Sequence, residues 1–149
     1  MPTFTCLTSP GRLTPAQKEE IARVCTDGYH EEFGVPRYLI QVIFYEIARG
    51  DRYVAGQPAR ADLVWIRCDV REGRNEAQKA KLLHRVQRGV AKTANVSEEA
   101  VWIYLCDLPS MNLMVWGHIM PPLVHGMPKD DTWFASLSDP VQASLRPLA

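Results

Sequence analysis

The amino-acid sequence predicts an α/β protein of the α+β two-layer sandwich type. In this class a tandem β-α-β repeat forms a four-stranded mixed sheet with two helices on one face. Two observations predict it. A pattern of helix start, helix length and strand position occurs twice with a displacement of 61 residues, and each predicted helix lies between two apolar strands. A strand, a helix and a strand in such short order form a right-handed crossover between parallel strands.

We expect a single domain over residues 1–149, since this length is ordinary for one domain and large enough for an apolar core. The first repeat covers residues 2–47 and the second covers 62–108, with a linker rich in Gly, Pro and Arg at 48–61. Six prolines exclude a long helix from the tail at 109–149. Large apolar side chains predict that the tail packs, on this chain or across a subunit boundary: Trp116, Ile119, Trp133, Phe134 and Leu137.

The first helix has a clear start signal. Thr14 is a good N-cap, Pro15 stands at the first helical position, where a missing N–H costs no hydrogen bond, and Gln17 completes a capping box. The apolar period continues to Phe33, which predicts a helix over residues 15–33. The strands on either side are predicted at residues 3–8 and 39–46.

The second unit repeats this order at the same offset. Asn75 and Gln78 take the places of the first unit's N-cap and capping-box glutamine. An amphipathic helix is predicted over residues 76–94, with an apolar stripe on one side. The strands that flank it are predicted at residues 64–69 and 100–107.

Charge and hydropathy exclude several classes of partner. The chain carries 17 basic and 17 acidic residues and has a pI of about 6.9. It therefore lacks the basic character that nucleic acids and anionic membranes select. No apolar run approaches the roughly 20 residues that cross a bilayer, and the first residues form no secretory signal pattern. We expect a cytoplasmic protein that binds neither nucleic acid nor membranes.

The sequence contains no familiar metal-binding spacing. The cysteines form no C-x-x-C pair, so they fit neither a zinc site nor a dense disulfide framework, and we expect buried free thiols. These cysteines are Cys6, Cys25, Cys68 and Cys106. The histidines and acids of the tail match no known ligand pattern either. These tail residues are His118, His125, Asp130 and Asp131.

The start of the chain, Met1-Pro2, offers a group that no other residue type can supply. Methionine is usually trimmed when the next residue is small, and its loss would leave the secondary amine of Pro2 at the N-terminus. An α-amine has a pKa of about 8, and partial burial disfavours its charged form further. Pro2 is therefore a candidate general base, general acid or nucleophile. The alternative is that Met-Pro is a common start without chemical meaning.

Two arginines precede the second helix. Arg71 and Arg74 lie just ahead of a helix N-terminus, where the helix dipole disfavours cations. Their position is explained if they bind an anion, because Arg binds carboxylates bidentately and helix N-termini favour negative charge. The alternative is that Glu72 or another acid neutralises them on the surface.

Pro2 ahead of a strand, two β-α-β units and the motif Arg71-Glu72-Gly73-Arg74 together resemble the tautomerase superfamily, and within it the cis-3-chloroacrylic acid dehalogenase group. The resemblance covers most of the chain. It implies a homotrimer assembled around the open sheet faces, with no metal and no organic cofactor. It also implies that the terminal proline acts with arginines that hold the carboxylate of a small substrate. Further matching positions are residues 12–15, 41–42 and 102–104, Pro109 and Gly117.

The resemblance also implies roles for individual residues. It assigns the acid/base role to Pro2 and carboxylate binding to Arg71 and Arg74. It assigns Tyr104 as a polar group that faces the substrate, and the repeat offset places apolar Ile43 at the corresponding position of the first unit. A core tyrosine with a satisfied hydroxyl is the alternative for Tyr104.

Two positions depart from the dehalogenase pattern. Dehalogenase-type members carry a histidine where this chain has Tyr29, and His30, one position later, faces elsewhere on the helix. They also carry a glutamate that helps to activate water, and the aligned position here is Val115. Hydration needs a base aimed at water, which valine cannot supply. Tyr29 remains a candidate for substrate binding.

The sequence therefore predicts a proline-dependent tautomerase, an isomerase that acts on a small 2-oxo acid, with weak hydratase or dehalogenase side activity. Tautomerisation requires only one group that removes and returns a proton. A first alternative is a cis-3-chloroacrylate-type hydrolytic dehalogenase or hydratase in which other groups replace the missing ones, Tyr29 and Asn112 being the nearest. A second alternative is a non-catalytic trimeric binding protein of the same fold.

Overall fold

The computed structural model describes residues 1–123, 135 and 137–146. In chain order its strands and helices are β1 (Thr3–Thr8), α1 (Pro15–Phe33), β2 (Gln41–Glu46), β3 (Tyr53–Val54), β4 (Gln57–Pro58), β5 (Val64–Arg71), α2 (Glu76–Ala94), β6 (Val101–Leu108), β7 (Met114–Val115), β8 (His118–Ile119) and α3 (Asp139–Leu145).

The predicted mixed sheet and two-layer class are confirmed. The strands of the main sheet follow the order β2-β1-β5-β6, with parallel pairs within each repeat and an antiparallel pair, β1 and β5, between the repeats. Thr3 pairs with Gln41 on one side and with Asp69 on the other. The start of β1 therefore lies between the start of β2 and the end of β5.

Both main helices have the bounds that the sequence predicts. The capping box of α1 forms, since Thr14 Oγ1 accepts from the Gln17 N–H at 3.2 Å and Gln17 Oε1 accepts from the Thr14 N–H at 2.9 Å. The Asn75 side chain caps α2. Gln78, predicted to complete a second capping box, instead donates to a carbonyl of the other helix. Its Nε2 lies 2.9 Å from Glu32 O.

That bond has a counterpart in the other repeat. Gln17 Nε2 donates to Thr93 O at 2.8 Å, and both members of this pair lie 61 residues from their equivalents, Gln78 and Glu32. The start of each helix is thereby tied to the end of the other. The tandem repeat is thus a pseudo-twofold arrangement that extends to single hydrogen bonds.

Strand positions depart slightly from the prediction. β2 begins two residues later and β6 one residue later, because the residues before each strand close a 3-10 turn. Leu39 N–H donates to Pro36 O, and Ala100 N–H donates to Ser97 O, each at 3.0 Å. β5 extends two residues beyond its predicted end, which makes Arg71 the last residue of a strand.

The main core lies between the helices and one face of the sheet. β5 alternates buried and more exposed side chains along its length, as a strand covered on one face must. The cysteines are free thiols as predicted; Cys6, Cys25 and Cys68 are buried in this core, and Cys106 is half-buried. Burial raises the pKa of the Cys6 thiol to about 12 and also raises the pKa of Cys25 and Cys68, so the three buried thiols are inert hydrophobes at neutral pH.

A second apolar cluster joins the tail to the N-terminal residue. Its buried members are Leu39, Val115, Met120, Leu137 and Leu145, and Met1 packs against it from the start of the chain. The predicted packing of the tail is therefore confirmed for Leu137. Trp116 and Ile119 are exposed on this chain, while Trp133 and Phe134 lie outside the described residues.

Candidate active site

The start of β1 is enclosed by its neighbouring strands. Pro2 is buried, and its carbonyl accepts a hydrogen bond from the Gln41 N–H of β2 at 3.0 Å. Continuing the antiparallel register of β1 and β5 by two residues brings Met1 opposite Arg71. The strand pairing alone thus places the first residues of the chain beside the first arginine of the motif.

The environment of the chain start disfavours positive charge. The pKa of the Met1 α-amine is lowered from 8.0 to about 6, chiefly because burial removes water from the cation, and further because Arg71 and Arg74 repel it. Two guanidiniums and a partly buried amine therefore share one site. These surroundings favour the unprotonated form of an amine near neutral pH.

Arg74 is held by aromatic side chains of α1. The centre of its guanidinium lies 4.9 Å from the centroid of the Phe33 ring and 5.8 Å from that of Tyr29, distances at which a cation is attracted to a ring face. Its Nε is buried and has no hydrogen-bond partner among the described residues. Arg74 is thus positioned by its surroundings while one donor remains available to an anion.

Tyr29 is a fully buried aromatic residue beside Arg74. It is 1% exposed, with its ring 4.7 Å from Phe33 and edge-on to Phe4 at 6.1 Å. Burial raises the pKa of its hydroxyl to about 12, although the positive charges of Arg74 and Arg71 act in the opposite direction. Tyr29 is therefore a neutral phenol that supports Arg74.

The arginine motif is fixed by the tail and by the end of β6. Arg71 donates through Nη1 to Pro121 O at 2.8 Å. The Glu72 carboxylate accepts from the Ser110 N–H at 3.2 Å, so this acid binds the backbone after β6. Gly73 has φ +90°, a conformation that side-chain-bearing residues rarely adopt. It lets the chain turn from β5 toward α2 with Arg74 directed at α1.

Other predicted residues lie apart from this group. Tyr104 is 53% exposed on the sheet face away from the helices, with its ring edge-on to Trp65 at 5.4 Å. It stands four residues before Leu108, the partner of Arg71, which corresponds to ~13 Å along a strand. One chain thus places Arg71 and Arg74 near the chain start, and Tyr29 beside Arg74, but leaves Tyr104 apart. The roles of these residues at the substrate stay predictions.

The two departures from the dehalogenase pattern also have defined positions. Val115 is 7% exposed and belongs to the apolar cluster that contains Met1. Asn112, named as a possible replacement for a missing polar group, is exposed in a 3-10 turn. His30 contacts Val35 O through Nδ1 at 2.8 Å, so it stabilises the end of α1 outside the site.

Phe33 is a site residue that the sequence analysis did not identify. It follows Tyr29 by four residues on α1, and residues at this spacing lie side by side on a helix. The sequence signal was therefore the spacing of Phe33 from Tyr29, which puts both rings on one face of α1. What the sequence could not supply was the approach of the motif to this face of α1.

Two features are absent from the described part of the chain, a metal-ligand cluster and a membrane-spanning helix. No group of three or more His, Cys, Asp and Glu side chains there is placed to hold a metal ion. His125, Asp130 and Asp131 lie outside it. No helix among the described residues is long and apolar enough to cross a membrane.

Comparison with known proteins gives both a family and a fold. A family profile described as "Putative oxalocrotonate tautomerase enzyme" matches residues 1–136. The crystal structure of N1, a member of the cis-3-chloroacrylic acid dehalogenase family, is similar with a TM-score of 0.87 and 31% identity, over 98% of this chain and 99% of that chain. No curated protein sequence matches significantly.

Fused 4-OT proteins share the fold as well. A symmetric fused 4-OT trimer has a TM-score of 0.69 and 25% identity, over 76% of this chain and 90% of that chain. An asymmetric fused 4-OT trimer has a TM-score of 0.73 but only 17% identity, over 78% of this chain and 94% of that chain. The second likeness concerns the fold alone.

Proposed function

The chain belongs to the tautomerase superfamily, in its cis-3-chloroacrylic acid dehalogenase-like branch, and from this premise we propose that it is a cofactor-free tautomerase of a small 2-oxo acid. The observation that carries the proposal is the burial of the chain start beside Arg71 and Arg74. These groups provide a poised base and a binding site for a carboxylate in one place.

Pro2 is the proposed acid/base. When Met1 is removed, the secondary amine of Pro2 becomes the N-terminus in the same partly buried, positively charged surroundings. Burial and the two guanidiniums lower the pKa of the Met1 amine, and the same two causes act on an amine at Pro2. A large share of Pro2 is then unprotonated near neutral pH, as a general base requires.

The proposed reaction moves one proton and needs no water. The substrate carboxylate binds Arg71 and Arg74. The Pro2 nitrogen takes the proton from the enol hydroxyl at C2, and the resulting prolinium gives a proton to C3, which yields the ketone and restores the amine. The arginines stabilise the negative charge of the enolate between the two transfers.

Val115 favours tautomerisation over the hydrolytic alternative. Hydration or dehalogenation needs a polar group that activates water, whereas Val115 lies in an apolar cluster. Any dehalogenase or hydratase activity is therefore expected to be a weak side reaction. The non-catalytic binding protein remains the alternative outside enzymes, and it predicts carboxylate binding without turnover.

A homotrimer is the proposed assembly. The open sheet face carries exposed aromatic side chains, and Tyr45 on this face is 56% exposed. Such a face is usually covered by another copy of the chain. A fused 4-OT with 25% identity forms a symmetric trimer.

The decisive test of the proposed function replaces Pro2. In Pro2→Ala the second residue is still small, so Met1 is still trimmed and a primary amine replaces the secondary one. We expect kcat/KM for enol ketonisation to fall by about 100-fold or more, the range of general acid–base catalysis. Intact mass establishes the N-terminus of each protein, and circular dichroism checks the fold.

Pro10→Ala is the matched control, because Pro10 is exposed and occupies the position of Arg71 in the other repeat. It should leave the rate unchanged. An unaltered rate in Pro2→Ala, or retention of Met1 in the active protein, would refute the proposed base.

A further inference from the structure

Met1 lies between the two arginines and the second apolar cluster. Its amine lies near Arg71 and Arg74, which lower its pKa, while its side chain packs against the apolar cluster of Leu39, Val115 and Met120. The parallel register of β1 and β2, continued by two residues, brings Met1 opposite Leu39. One residue thus spans from the arginines to the apolar wall.

The charge at the arginine end of Met1 has the unfavourable sign. An ammonium beside two guanidiniums is repelled, whereas a carboxylate in the same place would be attracted by the same Coulomb energy. The buried Arg74 Nε, which has no acceptor among the described residues, fits an anion there. The arginine end of the site is therefore complementary to an acid and not to the amine.

The side chain of Met1 indicates the shape of the apolar group that this part of the site accepts. A methionine side chain is unbranched and has roughly four non-hydrogen atoms beyond Cα. When Met1 is trimmed, the apolar groups that it covered lose their contact and become available to a ligand. Burial of apolar surface favours a tail of similar length in that place.

We propose that the substrate takes the place of Met1, as a 2-oxo acid with its carboxylate at the arginines and an unbranched apolar tail of roughly four atoms against Leu39, Val115 and Met120. This inference rests on the proposed tautomerase function for its reaction but not for its binding. Val115 is then a specificity-determining residue that selects the length of the tail.

The test is a chain-length series, measured as enzyme-catalysed exchange of the C3 protons with deuterated water by NMR. The substrates are pyruvate, 2-oxobutanoate, 2-oxopentanoate and 2-oxohexanoate, and intact mass confirms that Met1 is absent. We expect kcat/KM to rise about fourfold for each added methylene, which corresponds to ~0.8 kcal/mol. A branch at C3 should cancel the gain.

Two variants locate the effect. Val115→Phe should lower kcat/KM for 2-oxohexanoate at least tenfold more than for pyruvate, because a larger side chain fills the space of the tail. Ile119→Ala is the control, since Ile119 lies on the neighbouring strand β8 but is exposed, and it should leave the length dependence unchanged. A kcat/KM that is independent of chain length would overturn the inference.

Binding distinguishes this inference from the proposed function. Calorimetry with propanoate, butanoate, pentanoate and hexanoate should show the same gain in affinity per methylene, and protein that retains Met1 should bind none of them. Length-dependent binding without any exchange would support the inference and refute the tautomerase. Exchange of the pyruvate protons without any dependence of rate or binding on chain length would support the tautomerase and refute the inference about the tail.

Discussion

Arg74 shows how the site prepares a cation for an anionic ligand. Its guanidinium lies near the rings of Phe33 and Tyr29, and its Nε is buried. Rings attract the cation without using its hydrogen-bond donors. The orientation of Arg74 therefore does not consume the groups that a carboxylate needs.

Phe33→Leu tests this positioning role. Loss of one cation–π contact of ~1–2 kcal/mol should raise KM for a carboxylate substrate about five- to thirtyfold, with a smaller change in kcat, because Arg74 is then less well oriented. Phe33→Tyr should restore the KM. Steady-state kinetics on the three proteins measure both parameters.

Phe44→Leu is the matched control, since Phe44 is also partly buried against the main core but lies on β2. Both leucine variants should lower the free energy of unfolding by similar amounts. Equal effects of the two variants on KM would show that Phe33 contributes only to stability.

The pH dependence of the reaction follows from the charges around the amine. A base acts when unprotonated, so kcat/KM should rise with pH and level off above the pKa of Pro2. Burial and two arginines lower the pKa of the amine at the chain start. In Arg74→Ala one repelling charge is lost, the pKa rises, and the midpoint of the profile should move to higher pH.

The measurement is the pH profile of kcat/KM for both proteins with one substrate. Arg88→Ala, which removes an exposed charge from α2, should leave the midpoint in place. A midpoint that stays constant in Arg74→Ala would contradict the electrostatic account of the amine.

The sequence marks Arg71 and Arg74 as candidate site residues, but it does not mark Phe33, which positions Arg74. Arg71 and Arg74 are marked by their unusual position before a helix, and the register of β1 and β5 brings them to the chain start. The support by Phe33 depends on how α1 packs, which no local pattern encodes. Tyr104 points to the open face because of strand alternation, so one chain leaves it apart from the arginines.

The two helices of the repeat cross at glycines. A Cβ on Gly89 of α2 would lie 2.5 Å from Val24 Cγ1, whereas a Cβ on Gly28 of α1 would lie at an ordinary 3.5 Å from its nearest neighbours. Gly28 and Gly89 occupy equivalent positions in the two repeats, but the opposite helix lies closer to Gly89 than to Gly28. Only Gly89 is required by packing.

Gly89→Ala and Gly28→Ala form a matched pair of substitutions. Both gain up to ~1 kcal/mol of helix propensity, but Gly89→Ala also incurs ~1–3 kcal/mol of overpacking against a β-branched side chain that cannot easily rotate. Urea denaturation should show that Gly89→Ala is less stable than the parent and Gly28→Ala equally or more stable. Val24→Ala should rescue Gly89→Ala, and equal stabilities of the two alanine variants would contradict the close crossing.

Element boundaries were predictable where a side chain marks them. Thr14, Pro15 and Asn75 define the helix starts, and left-handed Gly34 and Asn95 close the ends. The starts of β2 and β6 were less well predicted, because apolar residues before each strand form 3-10 turns. Apolar character alone does not distinguish a turn packed on the core from the strand that follows it.

The molecule presents an open sheet face that the described residues of a single chain leave uncovered. Helices cover the other face, so aromatic residues of β2 and β6 remain exposed, including Tyr45 at 56% and Trp102 at 40%. A monomer that leaves this surface in water forgoes apolar burial. The proposed homotrimer would cover this face.

Tyr45→Asp should therefore weaken the assembly, because a carboxylate would be buried without a partner in the interface. Sedimentation should give a mass near the 16.9 kDa monomer for the variant and a trimer for the parent. Tyr53→Asp is the matched control, since Tyr53 is equally exposed at 58% but lies on β3 of the linker hairpin. A trimer that persists in Tyr45→Asp, or one that dissociates in both variants, would show that the open sheet face is not the interface.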